Sequence, residues 1–296
     1  MKVKLISHVN RDGDLLEAWF RYYLRLGVSS FHLIVHGPRS ENARLFAIKD
    51  SFPVTIADCY EGEFRSEEKK RRLDALMATM PDQWVMLADS DEFVELPYRR
   101  VSTTIRALDL ARANMLYAPM LQHLTLDGSL ETPEIIADPF RTFPLCSIEL
   151  YQKMGSKATL RKYPLFYCAR GITLSDGGNH DPLRGGPHPA LSSLLGITHH
   201  FKFRRSVRER LDARIDSAHS WRHESLEFRT YLDGNGGRLP LEDSFPYSRS
   251  EMFRRGLLRR FSFRAALRSI QRVIRRTDEI GPPKALHPND QREQSR

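Results

Sequence analysis

Over residues 3–89 the sequence alternates short apolar runs with segments of helical period, and few folds accommodate that order. VKLISHV (3–9) reads as a strand. DLLEAWFRYYLRLG (14–27) then places Leu15, Leu16, Trp19, Phe20 and Tyr23 on one helical face, with Gly27 as a stop. SFHLIVHG (30–37) is a second strand, ENARLFAIKD a short helix and VTIADC (54–59) a third strand. Ser66 can cap a helix that carries Glu67 and Glu68 in its first turn. Leu73, Leu76, Met77 and Met80 recur there at helical spacing, and after Pro81 the apolar WVMLAD (84–89) closes the series. Strand and helix in this order predict a parallel sheet with helices on both faces.

The remainder is less periodic. The middle of the chain is rich in Pro, Gly and His, and DGGNHDPLRGGPHP (176–189) reads as loop. RRSVRERLDARIDSAHSW (204–221) reads as a charged helix, and YLDGNGGRLP (231–240) as a break. We divide the chain at these points into an α/β half (1–130), a second half of the same domain (131–235) and a basic helical C-terminal extension (236–296).

The chain has 296 residues, of which 41% are hydrophobic, enough for a proper core and too apolar for a disordered chain. No apolar run reaches the roughly 18–20 residues of a membrane span, and MKVKLISHVNR has too short an apolar stretch for a signal peptide. Cys59, Cys146 and Cys168 make no CxxC pair, which predicts a reducing compartment without a disulfide framework. The net charge is +9, and the segment 254–276 holds nine arginines and no acid. Without those nine, the 46 basic residues fall level with the 37 acidic ones, so the basicity belongs to the tail.

Ligands of an open parallel sheet gather beyond the carboxyl ends of its strands. Those ends here carry His8, Asn10, Arg11 and Asp12, then His36, then Asp58, then Asp89, Asp91 and Glu92. Three acids in four residues repel one another. Because side chains alternate along an extended chain, Asp89 and Asp91 can point the same way, and two carboxylates on a rigid strand end suit Mn²⁺ or Mg²⁺. Lys153, Lys157, Arg161 and Lys162 form a basic cluster of the kind a diphosphate uses. Candidates for a general base are Asp176, His180 and Asp181 in the glycine-rich loop, with Glu242 and Asp243 as a second option. His180, His188, His199 and His200 match no zinc spacing.

Three blocks resemble glycosyltransferase family 2 type proteins with a GT-A fold, in the branch that carries Asp-x-Asp-Glu-Phe. They are Val9-Asn10-Arg11-Asp12 with Glu17–Val28, then Asp82–Phe93, and more weakly His199–Arg204; together the resemblance spans roughly residues 3–205. It implies a Rossmann-like mixed sheet flanked by helices, and transfer of a sugar from a nucleotide-diphosphate donor to an acceptor hydroxyl, in assembly of a bacterial surface polysaccharide or glycolipid. Asp89 and Asp91 would hold the cation that bridges the diphosphate, His200 would complete its shell, and Asn10, Arg11 and Asp58 would line the nucleoside pocket, with Asp12 and Lys157 also on the donor. The chain departs from the family where Asn10-Arg11-Asp12 replaces an Asn-Glu pair.

In the tail, Phe263, Leu267, Ile270 and Ile274 repeat at helical spacing among arginines. That is either a helix for an anionic membrane surface or one packed on the body. The expected partners are therefore a nucleotide-sugar donor, a saccharide or lipid-linked acceptor and an anionic membrane through 254–276, and nucleic acid is not expected. The expected location is cytoplasmic, at the inner membrane face where the tail engages it. The competing reading is a non-catalytic membrane- or nucleic-acid-binding module on a degenerate transferase body.

Overall fold

The computed structural model describes residues 1–258 apart from 157–159, 177, 182, 185–190 and 218. The strands are β1 (Lys4–Val9), β2 (Ser30–His36), β3 (Val54–Tyr60), β4 (Gln83–Leu87), β5 (Glu92–Glu95), β6 (Met115–Leu124), β7 (Leu145–Ser147), β8 (Arg161–Cys168), β9 (Leu191–Leu195), β10 (Ile197–His200) and β11 (Phe245–Pro246). The α-helices are α1 (Leu16–Leu26), α2 (Ala43–Ile48), α3 (Ser66–Ala78), α4 (Val101–Leu110), α5 (Pro139–Thr142), α6 (Leu150–Lys153), α7 (Val207–Ile215), α8 (Arg222–Gly234) and α9 (Arg249–Arg254).

β3, β2, β1 and β4 lie side by side and parallel, as the alternating order predicts. Beyond β4 the direction changes: β8 is antiparallel to β4, and β6 to β8. β7 and β11 extend that edge, and β9 and β10 run parallel to β6. β5 pairs antiparallel with β10, His200 opposite Glu92. The result is the mixed sheet flanked by helices, and strands from all three sequence segments join it.

Two-residue periodicity sorts the strands' side chains between two cores. Leu5, Val9 and Met86 pack with α1 and α4, whereas Ile6, Val85 and Leu87 pack with Leu73 and Met77 of α3. Helices therefore cover both faces. β3, at the edge, alternates half-buried and exposed residues along its whole length. A third cluster, built from Leu150, Phe203, Leu211 and Phe228, fixes α6, α7 and α8 to one another beside the sheet.

Some local expectations shift. Gly27 does end α1, at φ 99°, where its N–H reaches back to the last turn. Ser66 is the first helical residue and not the cap, and its N–H bonds Ser220 Oγ at 3.2 Å. The helix expected over 204–221 is confined to α7, and the expected break at 231 starts later because α8 runs on to Gly234. Gly236 and Gly237, at φ 61° and 78°, turn the chain there. All three cysteines are free. Among the described residues no helix is long and apolar enough to cross a membrane. Residues 259–276 of the basic tail lie outside the described residues, as do Lys157 and His188.

Candidate active site

A cleft of about 1350 Å³ opens at the carboxyl ends of β1, β2 and β4, closed on its far side by α7 and the turn into α8. His8, Asn10, Arg11, Asp12, His36, Asp89, Asp91, Glu92, Asp176, His180 and His200 all line it. The four strand ends thus converge, with one exception. Asp58 does not reach the cleft, because Arg72 of α3 holds its carboxylate in an ion pair on the outer side.

The three sequence blocks meet on one wall. α1 buries Trp19 against the acidic turn, and its indole N–H donates to the carbonyls of Asp89 (3.1 Å) and Glu92 (3.0 Å). Tyr23 donates to the same Glu92 carbonyl at 3.0 Å. On the other side, Phe201 N–H donates to Asp91 O at 2.9 Å, continuing the β5–β10 ladder. Fully buried Arg204 closes the ring: its guanidinium bonds Asp12 (2.6 Å) and Asp14 (2.7 Å) and lies 3.8 Å from Asp91. Ser90 donates to Asp12 Oδ2 at 2.6 Å.

These contacts show how the acids coexist. Asp89 faces Lys69 at 2.8 Å and Lys162 at 3.5 Å, and Lys162 also meets Glu92 at 2.8 Å. Both lysines are buried. Burial alone would raise the pKa of Asp89, but Lys69 and Lys162 outweigh it and hold the carboxyl below its usual range. Asp91 is likewise held down against burial, by His200 and then Arg204. The repulsion is relieved by fixed cations that come from three separate elements.

A divalent cation fits part of this wall. His200 donates through Nδ1 to Gln122 Oε1 at 2.8 Å and turns Nε2 toward Asp91 Oδ2 at 3.3 Å. An oriented histidine beside a carboxylate is the disposition of a metal-binding pair with an outer partner. Asp89 does not fit, since Lys69 and Lys162 occupy its two oxygens. Among the described residues no group of three His, Cys, Asp or Glu is arranged to hold a metal. Asp91 and His200 can supply two donors, and a cation there would take the rest of its shell from water and phosphate oxygens.

The end of the cleft beside β1 and β2 is aromatic. Asn10 bonds His36 at 3.1 Å, and His36 stacks on Tyr60 with ring centroids 4.6 Å apart. Arg11, at φ 58°, turns outward to pair with Glu41 (Nε–Oε2 2.6 Å). Across the opening Phe64 stacks on His219 at 4.6 Å and packs on Trp221 at 4.8 Å.

The base candidates separate. Asp181 lies outside the lining, paired with Arg161. His180 is in the cleft, but burial and then Lys162 push its pKa down to about 3, which makes it a weak base. Asp176 lines the cleft and has no ion-pair partner among the described residues; it accepts the N–H groups of Gly178 (2.7 Å) and His180 (3.2 Å). Asp243 pairs with Lys153, away from the cleft, and Glu242 does not line it.

Sequence reasoning missed Lys69, Lys202, Arg210, Arg214, Phe64 and Trp221, all of which line the cleft. Arg210 and Arg214 stand four residues apart, one turn of α7, and that spacing was the available signal.

No protein-family model matches the sequence, and no curated protein does. Solved structures resemble the fold distantly. S. aureus TarS (1–349) in complex with UDP-GlcNAc aligns over 78% of this chain and 72% of its own, at 8% identity and a TM-score of 0.35. CMP:2-keto-3-deoxy-manno-octonic acid synthetase complexed with CTP aligns over 80% and 87%, at 13% identity and a TM-score of 0.29. 4-Diphosphocytidyl-2C-methyl-D-erythritol synthase aligns over 42% and 63%, at 16% identity and a TM-score of 0.27. At these values the likeness carries no argument about activity.

Proposed function

We propose that the chain is a glycosyltransferase that takes its sugar from a nucleotide-diphosphate donor. The observation that supports this reading is the meeting of three blocks on one wall of the cleft, where Arg204 joins Asp12 and Asp14 to Asp91 and where His200 faces Asp91. In this reading the nucleoside lies toward Asn10, Arg11 and His36. Asp91 and His200 would hold Mn²⁺ or Mg²⁺, which as a Lewis acid would neutralise charge on the departing diphosphate. Asp89 stays with its lysines and keeps the turn rigid. Asp176 is our base for the acceptor hydroxyl, as the sequence candidate that both faces the cleft and carries no cation. The acceptor is a saccharide or lipid-linked saccharide, and residues 254–276 would bring the enzyme to an anionic membrane.

A panel of nucleotide sugars with Mn²⁺ or Mg²⁺ tests the reading through thermal stabilisation and release of nucleoside diphosphate. Asp91→Asn should abolish the metal-dependent part of the shift and leave the fold intact. Asp176→Asn should keep donor binding and lower turnover by about 10²-fold or more. Absence of both stabilisation and turnover across the panel would sink the proposal.

A further inference from the structure

The wall formed by β10, α7 and α8 holds two cations of a different kind from those of the acidic turn. Lys202 follows His200 by two residues and projects its ammonium over the rings of Phe228 (4.4 Å) and Tyr151 (4.9 Å). Arg214, from the last turn of α7, lies 5.5 Å over the ring of Trp221. Both line the cleft, and neither has an ion-pair partner among the described residues. Between them Arg210 spends one nitrogen on Asp12 (2.8 Å) and another on the Lys202 carbonyl (3.1 Å), which fixes the backbone beside Lys202.

Lys202 and Arg214 are half-buried, and a cation partly withdrawn from water is unfavourable unless something negative meets it. Aromatic faces supply only part of that. The carboxylates of the acidic turn are already paired with Lys69, Lys162 and Arg204, and Glu224 of α8, which lines the same cleft and acts on both cations, offsets at most one of the two. We infer that Lys202 and Arg214 form a phosphoryl-binding subsite of the cleft, with Arg210 as the residue that positions it. Two cations lining one cleft, neither in an ion pair among the described residues, fit a group with more than one negative oxygen better than a neutral sugar. The source is either the diphosphate of the donor or a phosphate on the acceptor. The inference rests on the transferase reading only for that choice.

Inorganic pyrophosphate binding to the full chain in EDTA, followed by calorimetry, tests it without metal. Lys202→Met and Arg214→Met should each weaken binding by about tenfold, the loss of one charge-assisted contact, while Lys2→Met should leave it unchanged. A nucleoside diphosphate that competes with pyrophosphate assigns the subsite to the donor. Both ligands bound together assign it to the acceptor. If the variants fail to fold, acylation of Lys202 in the native chain, read by mass spectrometry, should be blocked by pyrophosphate. Absence of pyrophosphate binding, equal binding by the folded variants, or undiminished acylation of Lys202 would overturn the inference. Pyrophosphate binding that depends on Lys202 without turnover of any sugar would sink the transferase reading and leave the subsite standing.

Discussion

Two walls of one cleft carry cations, buried Lys69 and Lys162 on one and half-buried Lys202 and Arg214 on the other, and they are built on opposite terms. On the acidic turn, Lys69 and Lys162 sit 2.8 Å from carboxylates and every charge is answered within the fold. On the α7–α8 wall, Lys202 and Arg214 rest on aromatic rings with no acid paired to them among the described residues. A matched buried charge reports on how the chain holds itself together, because removing one member strands the other. An unmatched one reports on something the protein meets.

Mutations can separate the two kinds. The largest effect should come from Arg204→Met, which leaves Asp12, Asp14 and Asp91 without their shared cation, and we expect a loss of about 3–5 kcal/mol in denaturant melts. Lys162→Met should follow closely, stranding Glu92 and part of Asp89. A smaller effect concerns acid stability. Against burial, His199, Tyr247 and Arg249 hold Glu95 down from 4.5 to about 2. A lowered carboxylate contributes fully above its unfolded value, and the contribution is lost as pH falls from 4.5 through about 2. Melts across that window should steepen by at most about 3 kcal/mol, and Glu95→Gln should flatten the difference. Lys202→Met should change stability by less than about 1 kcal/mol, or raise it, since it removes a charge with no partner. A large destabilisation there would erase the distinction between the walls. The smallest change should be Arg21→Gln, which breaks the exposed Arg21–Glu17 pair at a loss of about 0.3–0.5 kcal/mol.

Much of the fold could be read in advance because its first half is local. Each strand and helix up to Leu87 announces itself by period, and the parallel order follows from their alternation. The turn at Asp89–Glu92 and the cluster His199–Arg204 were also visible as chemistry. What could not be read is which cation answers which acid. Lys69 lies on a helix of ordinary surface composition, and Lys162 in a strand 73 residues beyond Asp89, so only the closed sheet reveals their partners. The same non-locality removed Asp58 from the site: it ends the correct strand, yet Arg72 one layer out claims it. Asp176 and His180 were grouped by sequence proximity, whereas burial beside Lys162 gives the histidine a different character from the aspartate.

The pairing of β5 with β10 has a consequence for synthesis. Asp91 and Phe201 are joined by a backbone hydrogen bond, and Arg204 lies close behind. A growing chain that has reached only β6 carries the three acids with Lys69 as the sole cation of the set, because Lys162 and Arg204 have yet to emerge. The turn that anchors the cleft must therefore be completed late, by long-range closure, which is slow relative to local helix formation. A truncated product ending before residue 200 should fail to settle this turn even though its first four strands are intact, so release of the last third of the chain sets when the cleft comes into being.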